Sequence, residues 1–270
     1  MTKILVTGAA GGVGTLLRPL LAASGYDVVL SDLKAPDALA KSEQFIPADL
    51  VDMAAVEKAC TGIDGILHFG GYSIEGTWEQ IHQANIVGCY NLFEAARRRG
   101  VKRVVFASSN HAVGYYPRTS HIGAEVVPRP DSRYGVSKVF GEALGAMYAD
   151  KYGMRNCSLR IGNVGFLPLD QRRLSIWLHP EDLMQLCRIG LEHPAIRYEV
   201  FYGMSLNERA WWDNSNAYRH GYRPRHRAED YRDHALAEQR KAPRDKVGDF
   251  YQGGTFCSAE YSGDGTDIWS

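Results

Sequence analysis

Residues 3–14 read KILVTGAAGGVG: an apolar run, Lys3–Thr7, stopped directly by Gly8, with further glycines at 11, 12 and 14. A β-prone run, a glycine-rich turn and then helix-forming residues predict a strand, a tight turn and a helix over 12–24. The spacing Gly8, Gly11, Gly14 is G-x-x-G-x-x-G, a variant of the fingerprint that seats a dinucleotide. Glycine serves there for the tight turn, for close approach of the backbone to a pyrophosphate, and for packing helix on strand. The helix N-terminus, with Gly12 and Val13 in its first turn, offers unpaired N–H groups and partial positive charge to an anion.

The same alternation continues beyond the turn. Asp27–Leu30, Gln44–Pro47, Gly65–Phe69, Arg103–Ala107 and Cys157–Ile161 are short buried-type runs. Helical stretches fall between them at Gly12–Ser24, Asp52–Cys60, Thr77–Arg99 and Tyr134–Tyr152, and Pro19 is expected to kink the first. This predicts an α/β fold, a Rossmann-type doubly wound parallel sheet with helices on both faces. After Gly162 only a helix near His179–Glu192 and a strand near Arg197–Tyr202 are legible. With no linker and no repeat, residues 1–270 are expected to form a single domain: a nucleotide-binding core over 1–162 and a small irregular part, 163–270, capping the substrate side.

Composition narrows the partners. In 270 residues, 31 Lys plus Arg balance 31 Asp plus Glu, and 45% are hydrophobic. A neutral globular chain has no field to draw it onto nucleic acid or an anionic membrane, so neither is expected. The Arg219–Lys246 stretch mixes both signs and reads as solvated surface. No apolar run reaches bilayer length, and MTKILVTGAAGG turns to glycine where a signal peptide would stay apolar. The five cysteines are scattered without C-x-x-C, and the nine histidines form no metal-spaced pair. A cytoplasmic protein without a metal is the expectation.

Asp32 ends the second predicted strand, where a carboxylate accepts both hydroxyls of an adenine ribose and repels a 2′-phosphate. NAD is therefore favoured over NADP, with Lys34 the one nearby group opposing that preference. Asp49 and Leu50 follow the third strand, facing the adenine, and Phe69, Gly70 and Gly71 close the fourth where a cofactor must pass.

Tyr134 and Lys138 stand one helical turn apart on a common face. A phenol is a poor base at neutral pH, and an ammonium group beside it favours the phenolate. Such a pair can take a proton from an alcohol whose carbon gives up hydride. Ser108-Ser109-Asn110-His111 follows the fifth strand, at the carboxyl end of the sheet, where a hydroxyl can hold the reacting oxygen.

Gly8–Gly14, Asp32, Ser109, Tyr134 and Lys138, in that order, resemble the short-chain dehydrogenase/reductase superfamily in its extended, epimerase/dehydratase-like branch. Asn85 is similar to the buried helix asparagine of that branch, beside the cofactor. The runs FASSNHAVGYYP (Phe106–Pro117), RPDSRYGVSK (Arg129–Lys138), WWDNS (Trp211–Ser215) and QGGTF (Gln252–Phe256) narrow the likeness to the bacterial uronate dehydrogenases, over essentially the whole chain. The resemblance implies NAD-dependent oxidation of the C1 hemiacetal hydroxyl of D-galacturonate or D-glucuronate to an aldarolactone. It implies Tyr134, Lys138 and Ser109 as the catalytic group, and Ser73, Ser109, Asn110, His111 and Asn163 as substrate contacts. It also implies that Arg172 holds the substrate carboxylate and that Phe256 closes over the site.

On the residues alone, Arg172 and Arg173 are equal candidates for a carboxylate, for which a guanidinium fork is the natural partner. A homo-oligomer through the two long helices is expected. Two other readings share the fold: a nucleotide-sugar epimerase or dehydratase, which calls for a larger C-terminal part, and a non-catalytic NAD-sensing regulator, which typically lacks the Tyr/Lys pair.

Overall fold

The first five residues of the run form β1 (Lys3–Thr7), an interior strand of a seven-stranded sheet. The computed structural model describes residues 2–39, 43–241 and 243–265, so Ala242 of the charged Arg219–Lys246 stretch lies outside the described residues. In chain order follow α1 (Gly12–Ala22), β2 (Asp27–Asp32), β3 (Gln44–Pro47), α2 (Met53–Ala59) and β4 (Gly65–His68). Next come α3 (Trp78–Ile81), a π-helical stretch (His82–Val87), α4 (Gly88–Arg98), β5 (Arg103–Ser109), α5 (Arg133–Tyr152) and β6 (Arg155–Ile161). Then β7 (Asn163–Val164), α6 (Arg173–Ile176), β8 (Trp177–Leu178), α7 (Pro180–Glu192) and β9 (Tyr198–Gly203) complete the part that shapes the site. Every pairing in the large sheet is parallel, in the order β3-β2-β1-β4-β5-β6-β9. The predicted doubly wound architecture is what the chain adopts.

Two apolar layers flank the sheet. Leu17 and Leu21 of α1 and Leu183, Leu186 and Cys187 of α7 pack on one face. Val56 of α2, Leu92 and Phe93 of α4, and Leu144 and Tyr148 of α5 pack on the other. All five cysteines are buried and unpaired. The helix starts are set by side chains: Asp52 caps α2, Thr77 and Gln80 form a capping box on α3, Ser132 caps α5, and His179 precedes Pro180 at the start of α7. By contrast α1 opens on Gly11 with no side-chain cap. It also runs unbroken through Pro19 and ends three residues later, because a proline so close to the C-terminus removes only a bond of the last turns.

Strand order reverses between β1 and β4, so a crevice opens at their carboxyl ends. Two backbones meet there. A Cβ on Gly8, whose φ is +71°, would lie 2.5 Å from the Phe69 carbonyl carbon, and a Cβ on Gly14 would lie 2.4 Å from the Gly8 oxygen. Thr7 Oγ1 accepts from the Gly70 N–H at 3.3 Å and is hydrogen-bonded to His68 Nδ1 at 2.7 Å. Burial, and then the Lys138 charge, pull His68 down to about 3, so this central imidazole is neutral.

Beyond residue 162, the expected end of the nucleotide-binding core, β9 still joins the sheet beside β6 and α7 packs on its face. The bridges Ile122–Trp212 and Pro117–Tyr251, with hydrogen bonds from Arg118 to Gly248 and Tyr251, tie the later residues to the loop after β5. Within the charged stretch Arg227 pairs with Glu208, while Ala228 and Ala235 pack under Trp177. Among the described residues no helix is long and apolar enough to cross a membrane.

The end of β5 is anchored by a buried ion pair. Arg160 on β6 reaches Glu142 on α5 through two hydrogen bonds of 2.9 Å, and Ser108 donates to the same carboxylate at 2.6 Å. Both charged side chains are less than a tenth exposed. Removing one partner leaves the other charge buried and alone, a cost of about 3–5 kcal/mol. Arg160→Met should therefore lower unfolding free energy by that amount in urea titrations, and Arg160→Met/Glu142→Met should recover most of the loss.

Candidate functional site

A cleft of about 300 Å³ opens at the carboxyl ends of β1, β4, β5 and β6. Its walls include Gly12, Val13, Phe69, Gly71, Ser73, Ser109, Tyr134, Lys138 and Asn163, nine of the residues singled out from the sequence. Ser108, Leu16, Tyr72 and Gly162 also line it.

The helix that carries Tyr134 and Lys138 is fixed at its start by two acceptors. Ser132 Oγ takes the Gly135 N–H at 3.0 Å, and Glu75 Oε2 takes the Tyr134 N–H at 2.9 Å. Lys138 is buried and donates to the Ala107 carbonyl at 2.8 Å, its ammonium standing 5.2 Å from the centre of the Tyr134 ring. Held between a carbonyl and an aromatic face, the ammonium is fixed in place beside the phenol. Ser109 accepts from the His111 N–H at 3.2 Å, opening the 3-10 turn Asn110–Val113. A hydroxyl, a phenol and an ammonium thus share one wall of the cleft, the set needed to hold an alcohol and remove its proton.

On the other side stands the glycine-rich turn. The N–H groups at the start of α1 face no side-chain cap, and a Cβ on Gly12 would meet nothing within 4 Å. Asp32 overhangs the turn, accepting from Ala10 N at 2.9 Å and Leu33 N at 2.7 Å. Open space above uncapped N–H groups, with a carboxylate at the neighbouring strand end, fits the pyrophosphate and ribose of a dinucleotide. Asp49 is exposed and accepts from Val51 N at 3.1 Å, and Leu50 packs against Gly70. Asn85 lies behind the cleft instead of lining it. Its amide donates to the Tyr72 carbonyl (2.9 Å) and Ser137 Oγ (3.0 Å) and accepts from Tyr72 N (2.6 Å), pinning the loop after β4.

The remaining predicted residues form a cluster next to Ser109. Asn110 is buried; its amide oxygen accepts from Arg172 Nη2 at 3.0 Å and its nitrogen donates to the Ile161 carbonyl at 3.2 Å. Arg172 Nε donates to the Gln252 carbonyl at 2.8 Å. Among the described residues no carboxylate lies within ion-pair distance of Arg172, whereas Arg173 is paired with Asp170. The alternative that the sequence left open is thereby separated: one arginine is neutralised and the other is not. Burial, then repulsion from Arg173 and Arg118, pulls the Arg172 guanidinium down to about 10, leaving it charged at neutral pH. Phe256 stacks on the His111 ring at 3.8 Å, and His111 stands edge-on to Tyr134 at 5.8 Å.

Four residues of this region had no role assigned from sequence: Glu75 and Glu142, and Asp131 and Gln252, which lie in runs quoted only for their resemblance. Each acts through a contact with a segment far away in sequence, so no local spacing announces it. Elsewhere, His179, Glu181 and His226 cluster at the start of α7, but His179 Nδ1 accepts the Glu181 N–H at 3.3 Å and its ring stacks on His226 at 3.5 Å. That arrangement serves as a helix cap.

Comparison with known proteins agrees with this geometry. The NAD dependent epimerase/dehydratase family matches over residues 4–166. The uronate dehydrogenase of Pseudomonas putida is 43% identical over 260 residues, 95% of this chain and 96% of that protein. The uronate dehydrogenase of Agrobacterium fabrum is 44% identical over 257 residues, 95% and 97% of the two chains. A solved structure of uronate dehydrogenase from Agrobacterium tumefaciens, a tyrosine-to-alanine variant complexed with NAD, is similar with a TM-score of 0.91 at 42% identity, covering 96% of this chain and 97% of that one. Motifs, sheet order and full-length likeness agree: the chain belongs to the NAD dependent epimerase/dehydratase family and, within it, to the uronate dehydrogenases.

Proposed function

We propose that this chain oxidises the C1 hemiacetal hydroxyl of D-galacturonate and D-glucuronate to the aldarolactone. The observation that carries the reading is Arg172: a partly buried, charged guanidinium held by two neutral oxygens, beside a Tyr/Lys/Ser wall that can deprotonate an alcohol. A hexuronate brings the carboxylate that such a fork lacks and the hydroxyl that the wall requires. The relatives named above carry the same activity in their names.

Ser109 holds the C1 oxygen, and Tyr134 takes the hydroxyl proton. Lys138, anchored on the Ala107 carbonyl, stabilises the resulting charge arrangement. The chemistry that bound NAD would supply is a hydride acceptor for C1. The first turn of α1 (Gly11, Gly12, Val13) would hold its pyrophosphate and Asp32 its adenine ribose, between Asp49–Leu50 and Phe69–Gly71, with Asn85 fixing that loop from behind. Ser73 and Asn163 contact the sugar from the cleft walls, His111 and Phe256 border it, and Asn110 acts by orienting Arg172.

Residues 163–270 belong to the same single domain and cap the substrate, supported by their bridges to the loop after β5. Exposed Tyr90 on α4 and Met147 and Tyr152 on α5 support a homo-oligomer through those helices, and five buried free thiols support a cytoplasmic enzyme.

The direct test is NADH formation, followed by absorbance, with the two uronates and with neutral D-galactose and D-glucose. Turnover confined to the uronates is expected; equal rates on neutral sugars would remove the role of Arg172. Tyr134→Phe should abolish turnover while NAD binding persists. Arg172→Met should raise the uronate KM about a hundredfold, the worth of roughly 3 kcal/mol for a charge-assisted contact. Since the carboxylate pairs only with protonated Arg172, the wild-type uronate KM should climb once pH passes about 10. Gly12→Ala should leave the melting temperature unchanged and weaken NAD binding at least tenfold in calorimetric titration. Gly14→Ala should also destabilise the fold, because its methyl collides with Gly8.

A further inference from the structure

Asp131 is the most enclosed carboxylate near the cleft, its side chain showing no exposed area. It precedes the Ser132 cap of α5 and lies between two glycines from distant parts of the chain. A Cβ on Gly114 would sit 1.8 Å from Asp131 Oδ2, and one on Gly253 would sit 1.9 Å from it. Those segments are joined by a Gly253 N–H to Gly114 carbonyl bond of 2.9 Å, so the carboxylate occupies a cradle that any side chain would fill. Ser132 Oγ donates to Oδ1 at 2.8 Å, and the Cys257 thiol approaches Oδ2 at 3.8 Å. The short contact in this cradle is with His111, whose Nδ1 lies 2.7 Å from Oδ2.

An ionised carboxylate only accepts, so the bond requires a proton on His111 Nδ1. Nε2, on the opposite side of the ring, has no hydrogen-bond partner among the described residues. The ring itself is clamped between this bond and the Phe256 face at 3.8 Å, with Tyr134 edge-on. We propose that Asp131 is a positioning residue, holding His111 in the Nδ1–H form so that Nε2 accepts a hydrogen bond from a ring hydroxyl of the sugar. This rests on the uronate-oxidising reading for the identity of the hydroxyl donor, but the tautomer itself does not.

The experiment uses full-length protein labelled with 15N histidine, with His111→Gln assigning the His111 ring signals by long-range 1H–15N correlation. A protonated Nδ1 and unprotonated Nε2 are expected in the wild type; a proton on Nε2 alone would overturn the proposal, whatever the variants do. In Asp131→Asn the amide can donate to the ring and favour the other tautomer. We expect an Nε2–H signal there, a uronate KM about tenfold higher, and a Kd for NAD within twofold of wild type. The double variant His111→Gln/Asp131→Asn should bind uronate no worse than His111→Gln, because both changes remove one interaction. Additive losses in the double variant would instead mark Asp131 as a general packing residue and sink the proposal. Should the wild type turn over no uronate, the substrate reading fails separately, and the ring-nitrogen signals still decide the tautomer.

Discussion

Everything in this site depends on one backbone-to-backbone contact, where the turn after β1 meets the end of β4. Gly8 passes so close to Phe69 that a Cβ would overlap its carbonyl carbon, and Gly14 lies equally close to the Gly8 oxygen. That contact brings the uncapped end of α1 level with the end of the sheet. It also brings Gly70 within reach of Thr7, so the loop after β4 is hydrogen-bonded to the turn it faces. Asn85 then fixes the next residues, because Gly71 has φ +117° and leaves no room for a Cβ beside the Asn85 oxygen. The cleft is the space left over when two backbones are packed this tightly and their helices diverge.

Two arginines near that cleft show opposite solutions to burying a guanidinium. Arg160 is matched by Glu142 in a two-point contact, with Ser108 completing the carboxylate. Such a pair is electrically closed and contributes by fixing where β5 ends relative to α5. Arg172 has only a peptide carbonyl and an amide oxygen, partial charges that orient the fork without neutralising it. Its neighbours Arg173 and Arg118 make the position less comfortable still. A charge kept in that state is open to an anionic partner, and the uronate of the proposed reaction would stabilise the protein on binding there.

Legibility in the sequence followed the range of the interaction concerned. The strands and helices up to β6 were readable within a few residues because hydrophobic period, capping residues and glycine turns are local. The nine cleft-lining residues were readable for a related reason: their motifs sit at strand ends and helix starts, which the period locates. Pro19 does not end α1, which continues to Ala22, three residues on. Glu75 gave no signal, and the runs holding Asp131 and Gln252 gave a resemblance without a role for either. The Asp131 environment is assembled from residues 111, 114, 253 and 257, and only folding makes them neighbours. The choice between Arg172 and Arg173 was undecidable for the same reason, as it rests on whether Asp170 turns toward one or the other.

The C-terminal QGGTF segment explains why a capping part without regular structure can still be exact in its effect. Gln252 uses its whole amide: Nε2 donates to the Pro117 and Ser120 carbonyls, and Oε1 accepts from the Trp212 indole at 2.9 Å. Its own carbonyl is thereby fixed, and that carbonyl holds Arg172. Gly253 must be bare to admit Asp131, and Gly254 takes φ +68° with the Arg172 side chain against it, so the chain can turn and lay Phe256 on His111. One short segment therefore positions two groups at once, Arg172 and the His111 face beside Tyr134, which in the proposed reaction would meet the carboxylate end and the oxidised end of a sugar acid. Asn110 and His111, adjacent in sequence, contact Arg172 and Asp131 respectively, so the two halves of this cluster are joined by a single peptide unit following Ser109. In the proposed reaction a substrate that lacks the carboxylate would lose more than one contact, because the group that registers its C1 hydroxyl against Tyr134 would be missing.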